Sequence, residues 1–171
     1  MLFRSGISGM PSPLASNDID PAAAKVYRDA LNASLAAMKS TGLTELTYDT
    51  DNALIDLVAY DAATKRVVEQ DVEFGDATEL DDSATMPNSL LDELDGLEAG
   101  TGTDSGSIKS PSAGTIVVTS YLEDTTYITT YTIDAQGRIS ESSLVLDGDP
   151  IGVTKYDYSL TKDAKAAFKA L

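Results

Sequence analysis

The 171-residue chain contains no cysteine, no histidine and no tryptophan. Without cysteine there is no disulfide and no thiolate nucleophile, and with histidine also missing there is no Cys/His zinc site. A Ser-His-Asp triad is excluded on the same ground. Positive charge is scarce as well. Twelve Lys and Arg face 28 Asp and Glu, 20 of them Asp, for a net charge of -16. The basic residues are scattered, so neither nucleic acid nor an anionic membrane surface is an expected partner. Such a surface suits solubility in a salty or extracellular medium. No apolar run approaches the roughly 18 residues that span a bilayer. A G-x-S-x-G elbow, a P-loop and a dinucleotide fingerprint are also missing. Gly96, Gly100, Gly102 and Gly106 are spread through a Ser/Thr-rich stretch and precede no phosphate-binding helix. The expectation is a protein that is not an enzyme and uses no cofactor or metal.

What remains is a chain with 42% hydrophobic residues, enough for a core and of a length for one domain. Residues 1–19 read as a flexible tether of Gly, Ser, Pro and Asn. Within it, Leu2-Phe3-Arg4-Ser5 resembles the translation of a sequencing adapter, so residues 1–5 are expected to be artefactual. The chain would then be the downstream part of a longer reading frame, with room upstream for a secretory signal or a lipid-attachment cysteine. Residues 20–171 form the expected single α+β domain.

Asp20-Pro21 is a helix start, an N-cap acceptor followed by proline at the first helical position. The helix runs to about Ser40, with Gly42 as its stop, and Tyr27, Leu31, Leu35 and Met38 form its apolar stripe. Three strands follow, at Leu43–Asp49, Ala53–Tyr60 and Arg66–Phe74; in the last, Val68, Val72 and Phe74 share a face. Gly75–Thr85 is acidic and irregular. Leu90–Leu97 is a short helix, and 99–113 is a mobile loop too long for an ordinary connection. Four more strands occupy Thr115–Leu122, Tyr127–Asp134, Arg138–Leu146 and Gly152–Leu160, and Thr161 caps a closing helix with Ala164, Ala167, Phe168 and Leu171 inward. The turns Asp134-Ala135-Gln136-Gly137 and Asp147-Gly148-Asp149-Pro150 carry the residues that short hairpins need. The order α-βββ-α-ββββ-α predicts a curved antiparallel sheet of about seven strands, a half-open barrel packed against three helices.

Asp49-Thr50-Asp51-Asn52 with Asp56 invites a calcium reading, but Ala53 and Leu54 stand where an EF-hand needs a ligand and a glycine. A polar turn is the better account there and at Asp147-Gly148-Asp149. The run Asp76, Glu79, Asp81, Asp82 reads as a solvated face. The tyrosines carry the main functional candidate. Tyr48, Tyr131, Tyr156 and Tyr158 are expected on one side of the sheet with Leu46, Val68, Val72 and Ile133. They form either a core edged with hydroxyls or the lining of an apolar cavity with a few convergent polar groups.

The opening helix DPAAAKVYRDALNASLAAMKS, the YTIDAQGRI segment and the closing Tyr156-Asp157-Tyr158 strand resemble the LolA-like family of lipoprotein carriers, especially actinobacterial extracytoplasmic lipoproteins. The resemblance covers residues 20–160 at the level of pattern. It implies a half-open curved sheet whose helices cover an apolar cavity for lipid or lipoprotein acyl chains, in the cell envelope or secreted. Membrane association would then come only through an upstream anchor. The chain departs from that family in having fewer strands and no anchoring cysteine. The primary expectation is an extracytoplasmic, non-enzymatic carrier or binding protein for an apolar ligand. The alternatives are a sealed interaction or structural module with no small ligand, and a hydrolase that uses carboxylates alone.

Overall fold

Asp20 accepts the Ala22 amide at 3.1 Å and starts helix α1, Pro21–Thr41, with proline in its first turn. Gly42 ends the helix at φ 115, its N–H bonded to the Met38 carbonyl. The computed structural model describes residues 18–80, 90–94 and 106–171. The Tyr27, Leu31, Leu35 and Met38 stripe is buried as expected, while Val26 beside it remains 45% exposed.

Around α1 the strands are β1 (Asp18–Ile19), β2 (Leu43–Tyr48), β3 (Leu54–Asp61), β4 (Arg66–Asp71) and β5 (Asp76–Leu80). After the helical residues 90–94, here α2, come β6 (Ser107–Ser112), β7 (Thr115–Leu122), β8 (Thr125–Ile133), β9 (Ile139–Leu146) and β10 (Asp149–Asp157). Helix α3, Lys162–Lys169, is capped by the Thr161 hydroxyl on the Ala164 amide. One open, curved sheet holds all the strands, in the order β1-β6-β7-β8-β9-β10-β2-β3-β4-β5. Nine strands pair antiparallel, and the two-residue β1 lies parallel to β6. The sheet is thus two meanders, β2–β5 and β6–β10, joined where β10 pairs with β2.

The fold class is as expected, with more strands than the seven anticipated. The acidic stretch after Gly75 pairs as β5, and residues 107–112 of the anticipated loop pair as β6. Neither has an apolar alternation to announce it; their partners β4 and β7 supply the register. The short helix is helical from Leu90 to Leu94, while its expected end at Leu97 and residues 99–105 of that loop lie outside the described residues. Strand β4 ends at Asp71, so Val72 sits in the turn to β5, where its N–H reaches the Ile55 carbonyl, and Phe74 is 70% exposed.

Two cores lie on opposite faces. On one, α1 and α2 pack over Leu43, Tyr60, Val67, Ile108, Ile116, Tyr131 and Ile139. On the other, Ala164 and Ala167 of α3 cover Leu57, Ala59 and Val68, with Leu46, Leu160 and Phe168 at the margin. The chain changes face after Tyr158, pinned by the Thr41 hydroxyl on the Tyr158 carbonyl (2.7 Å) and the Thr44 hydroxyl on the Ser159 carbonyl (2.8 Å). Leu171, expected inward, is 44% exposed.

Candidate functional site

Alternation along paired strands assigns every side chain to the α1 face or the α3 face. The eight residues expected to line one cavity divide between them. Tyr131, Ile133, Tyr156 and Tyr158 belong to the α1 core. Leu46 and Val68 belong to the α3 core, and Tyr48 shares their face, with the Lys155 ammonium 5.3 Å from its ring centre. Val72 is in a turn. Alternation phases each strand by itself; it does not say which face of β2 continues which face of β10. That comes from the pairing, in which Tyr156 stands opposite Glu45 and Lys155 opposite Leu46. Register shifts at Thr47/Tyr48 and Thr132/Ile133 complicate the phase further.

The four residues on the α1 face come together around a buried polar cluster. The Tyr27 and Tyr131 rings lie 5.0 Å apart between centroids, tilted by 36°. The Tyr131 hydroxyl donates to Glu93 Oε1 of α2 at 3.2 Å, and the Ser142 and Tyr156 hydroxyls are 3.2 Å apart. Burial raises the Glu93 carboxyl above the usual range, against the Tyr131 and Tyr27 hydroxyls that lower it. Burial likewise raises Tyr27 and Tyr131, reinforced by their charged and phenolic neighbours. Tyr27 is 1% exposed, and its hydroxyl lies beside Tyr131 and Glu93 but makes no well-formed hydrogen bond among the described residues. Such a group costs free energy unless something meets it. Glu93 and Ser142 carried no sequence signal, because they meet Tyr131 and Tyr156 only through the fold.

Tyr158 closes the other side of this core. Its hydroxyl donates to the Ile139 carbonyl, while the Ile139 N–H donates to Ser34 Oγ at 2.8 Å. The Arg138 guanidinium lies 4.6 Å from the Tyr158 ring centre and pairs with Asp134 at 3.0 Å. Burial works against ionised Asp134, but the Arg138 and Gln136 amides and the Arg138 charge hold its carboxyl below the usual range.

Beyond these packed residues the α1 face continues along β8 and β9. Tyr131 stands opposite Ser142, Thr129 opposite Leu144 and Tyr127 opposite Leu146. Tyr127, Thr129, Leu144 and Leu146 are half-buried and belong to neither core cluster. A mainly apolar strip therefore runs outward from a polar end.

A second feature lies on the same face of β3–β5. Asp56 stands opposite Asp71, and Asp71 opposite Asp76, with Glu69 one step along, around a cavity of about 380 Å³. The Asp56 carboxyl is pushed up to about 6, first by burial and then by the neighbouring Glu69. The structure separates Asp56 from the Asp49 turn with which its spacing had grouped it. Asp49 Oδ1 instead accepts the Asp51 and Ala53 amides at 2.9 and 3.0 Å, as a polar turn does. Among the described residues no three acids are arranged to hold a metal ion.

The sign of the Asp56 effect follows from linkage. A carboxyl whose folded value lies above its unfolded one binds its proton more tightly in the folded state, so stability falls as pH rises from about 4 through 6. Asp56→Asn is expected to stabilise the protein at pH 7 by on the order of 1 kcal/mol, after discounting for its exposure, and to change little at pH 4. Urea midpoints at the two pH values measure this. An equal effect at both would remove the raised Asp56 carboxyl from the account.

Compared with known proteins, the chain matches no family model and no curated sequence.

Proposed function

We propose that this protein is a non-enzymatic carrier or binding protein for an apolar ligand, a lipid or acyl chain, acting outside the cytoplasm in the manner of LolA-like carriers. The observation that carries the reading is the strip on the α1 face. Tyr127, Leu144 and Leu146 remain half-buried outside the packed core, and the strip ends at a polar cluster whose Tyr27 hydroxyl makes no well-formed hydrogen bond among the described residues. Small-molecule sites commonly combine an apolar wall with a few convergent polar groups. The absence of histidine and cysteine from the sequence suits a role with no covalent step.

Lipid extraction and mass spectrometry of the purified protein test the reading directly, with a co-purifying apolar molecule as the expected result. The uncharged fluorophore N-phenyl-1-naphthylamine gives a second measurement. It is expected to bind once per chain, and Leu146→Glu to weaken it about tenfold or more, by placing a charge in the apolar strip. No extracted ligand together with no saturable binding overturns the proposal.

Two observations favour other readings. Tyr131, Tyr156 and Tyr158 are each 9% exposed or less and fill space between helix and sheet, as a sealed module without a ligand requires. Asp56, whose carboxyl is raised to about 6 beside Glu69 and Asp71 in a cavity, is the kind of group from which a carboxylate-only hydrolase would draw its acid. For that reading, glycosidase or esterase turnover must appear and be abolished by Asp56→Asn.

A further inference from the structure

The α3 face carries a groove of about 720 Å³ at the end of the sheet where the β2–β3 turn meets the β9–β10 hairpin. Val145, Pro150 and Val153 line its apolar part, with Leu144 at its border, and Asp49 of the β2–β3 turn and Asp149 at the start of β10 line it from two sides. This is the face opposite the Tyr27 cluster, since Val153 stands across from Tyr48 and alternates with Thr154 and Tyr156 along β10.

Both turns are held rigid. Asp49 Oδ1 takes two amides of its own turn. Asp147, before the hairpin, exchanges two bonds with Thr126, its N–H to the Thr126 carbonyl at 2.9 Å and its Oδ1 from the Thr126 amide at 2.8 Å. Gly152 lets β10 pass so close to β2 that a Cβ there would lie 2.5 Å from the Tyr48 carbonyl. A groove set by such contacts loses little freedom when it is filled.

The lining narrows the occupant. Among the described residues no basic side chain lines it, which does not suit a phosphate or a carboxylate. Among them there is also no aromatic ring on which a sugar would stack. A second copy would bring its own charge of -16 against the same sign. A lysine or arginine meets both parts of the groove, with its methylene stem on the valines and its charge toward the carboxylates. Lys155, next on this face after Val153, is already engaged over the Tyr48 ring. We propose that this groove docks a basic, aliphatic peptide segment of a protein partner.

The test is amide chemical-shift titration of the full ¹⁵N-labelled chain at low salt with two probes, Ac-Lys-Val-Leu-Lys-NH2 and Ac-Glu-Val-Leu-Glu-NH2. The basic peptide is expected to shift residues 49–52 and 143–153 and to bind about tenfold tighter than its acidic counterpart. Asp149→Asn and Val153→Glu address the two contacts separately. Asp149→Asn is expected to weaken the basic peptide about three- to tenfold. Val153→Glu, which adds charge but removes the apolar floor, is expected to weaken it as well. The unshifted remainder of each spectrum reports that the fold is intact. Shifts spread over all acidic surfaces, binding strengthened by Val153→Glu, equal affinity for the two peptides, or no shift in the groove would each overturn the proposal. The first two would assign the attraction to overall charge alone.

Discussion

Leu31→Ala is expected to lower the free energy of unfolding by about 3–4 kcal/mol, a loss that leaves a single domain close to its threshold. Leu31 is 0% exposed and sits mid-stripe on α1, within the cluster that also takes in α2 and residues of both meanders. Truncation removes apolar area and leaves a void bordered by a packed helix and a hydrogen-bonded sheet, neither of which collapses easily. The better helix propensity of alanine returns only a few tenths of a kcal/mol. Urea unfolding measures the effect. Leu31→Met should cost less than about 1.5 kcal/mol because volume is conserved. Val26→Ala, on the same helix but 45% exposed, should stay within about 0.5 kcal/mol. If Leu31→Ala costs no more than Val26→Ala, the α1 core does not hold the fold.

Gly106→Ala is the second large effect. The φ of Gly106 is not in the left-handed region, so backbone strain is not the issue; space is. A Cβ there would lie 1.8 Å from the Thr119 carbonyl oxygen, and backbone cannot swing away as a side chain does. The strand that begins one residue later pairs Ser107 with Thr119 and carries β1 on its far side. The substitution must therefore push β6 off β7, at a cost of about 3 kcal/mol or more. Gly75→Ala is the matched comparison, since it has φ +75 but nothing within 4 Å of the added carbon. Its cost should be about 1 kcal/mol, from conformation alone. Hydrogen exchange separates the two. Gly106→Ala should release amides of β6 and the facing edge of β7 while β2–β4 stay protected. Uniform loss across the sheet would contradict a local cause.

The contrast between these glycines mirrors what the amino-acid order can and cannot convey. Gly42 and Gly137 are legible because a stop or a turn surrounds them; Gly106 lies in a Ser/Thr-rich stretch and becomes necessary only when β7 is beside it. Strands with apolar alternation, such as β2, β3 and β8, could be read directly. Strands β5 and β6, made of residues such as Asp76, Thr78, Glu79, Lys109 and Pro111, could not, since their composition is that of loops and their partners make them strands. The candidate site suffered from the same limit. Leu46 and Tyr131 are each on the inward side of their strand, but there are two insides, because α3 covers the face that α1 leaves bare. A second core on the opposite face has no signature in any one strand. The Asp56, Asp71 and Asp76 row was hidden in the same way, its members on three strands and adjacent only across two ladders.

The place of β10 has a consequence for how this molecule comes into being. It is the last strand of the chain, and it lies between β9 and β2, in the middle of the sheet. During synthesis each meander can form from neighbouring hairpins, but the bond between them waits for residues 149–157. Until then β2 and β9 both present unpaired edges, the condition in which growing chains stick to one another. The seam is also the longest-range pairing in the sheet, linking residues about a hundred positions apart, so it is the slow, late event of folding. Until residues 149–157 are available, the two meanders can share the α1 core but no ladder of the sheet.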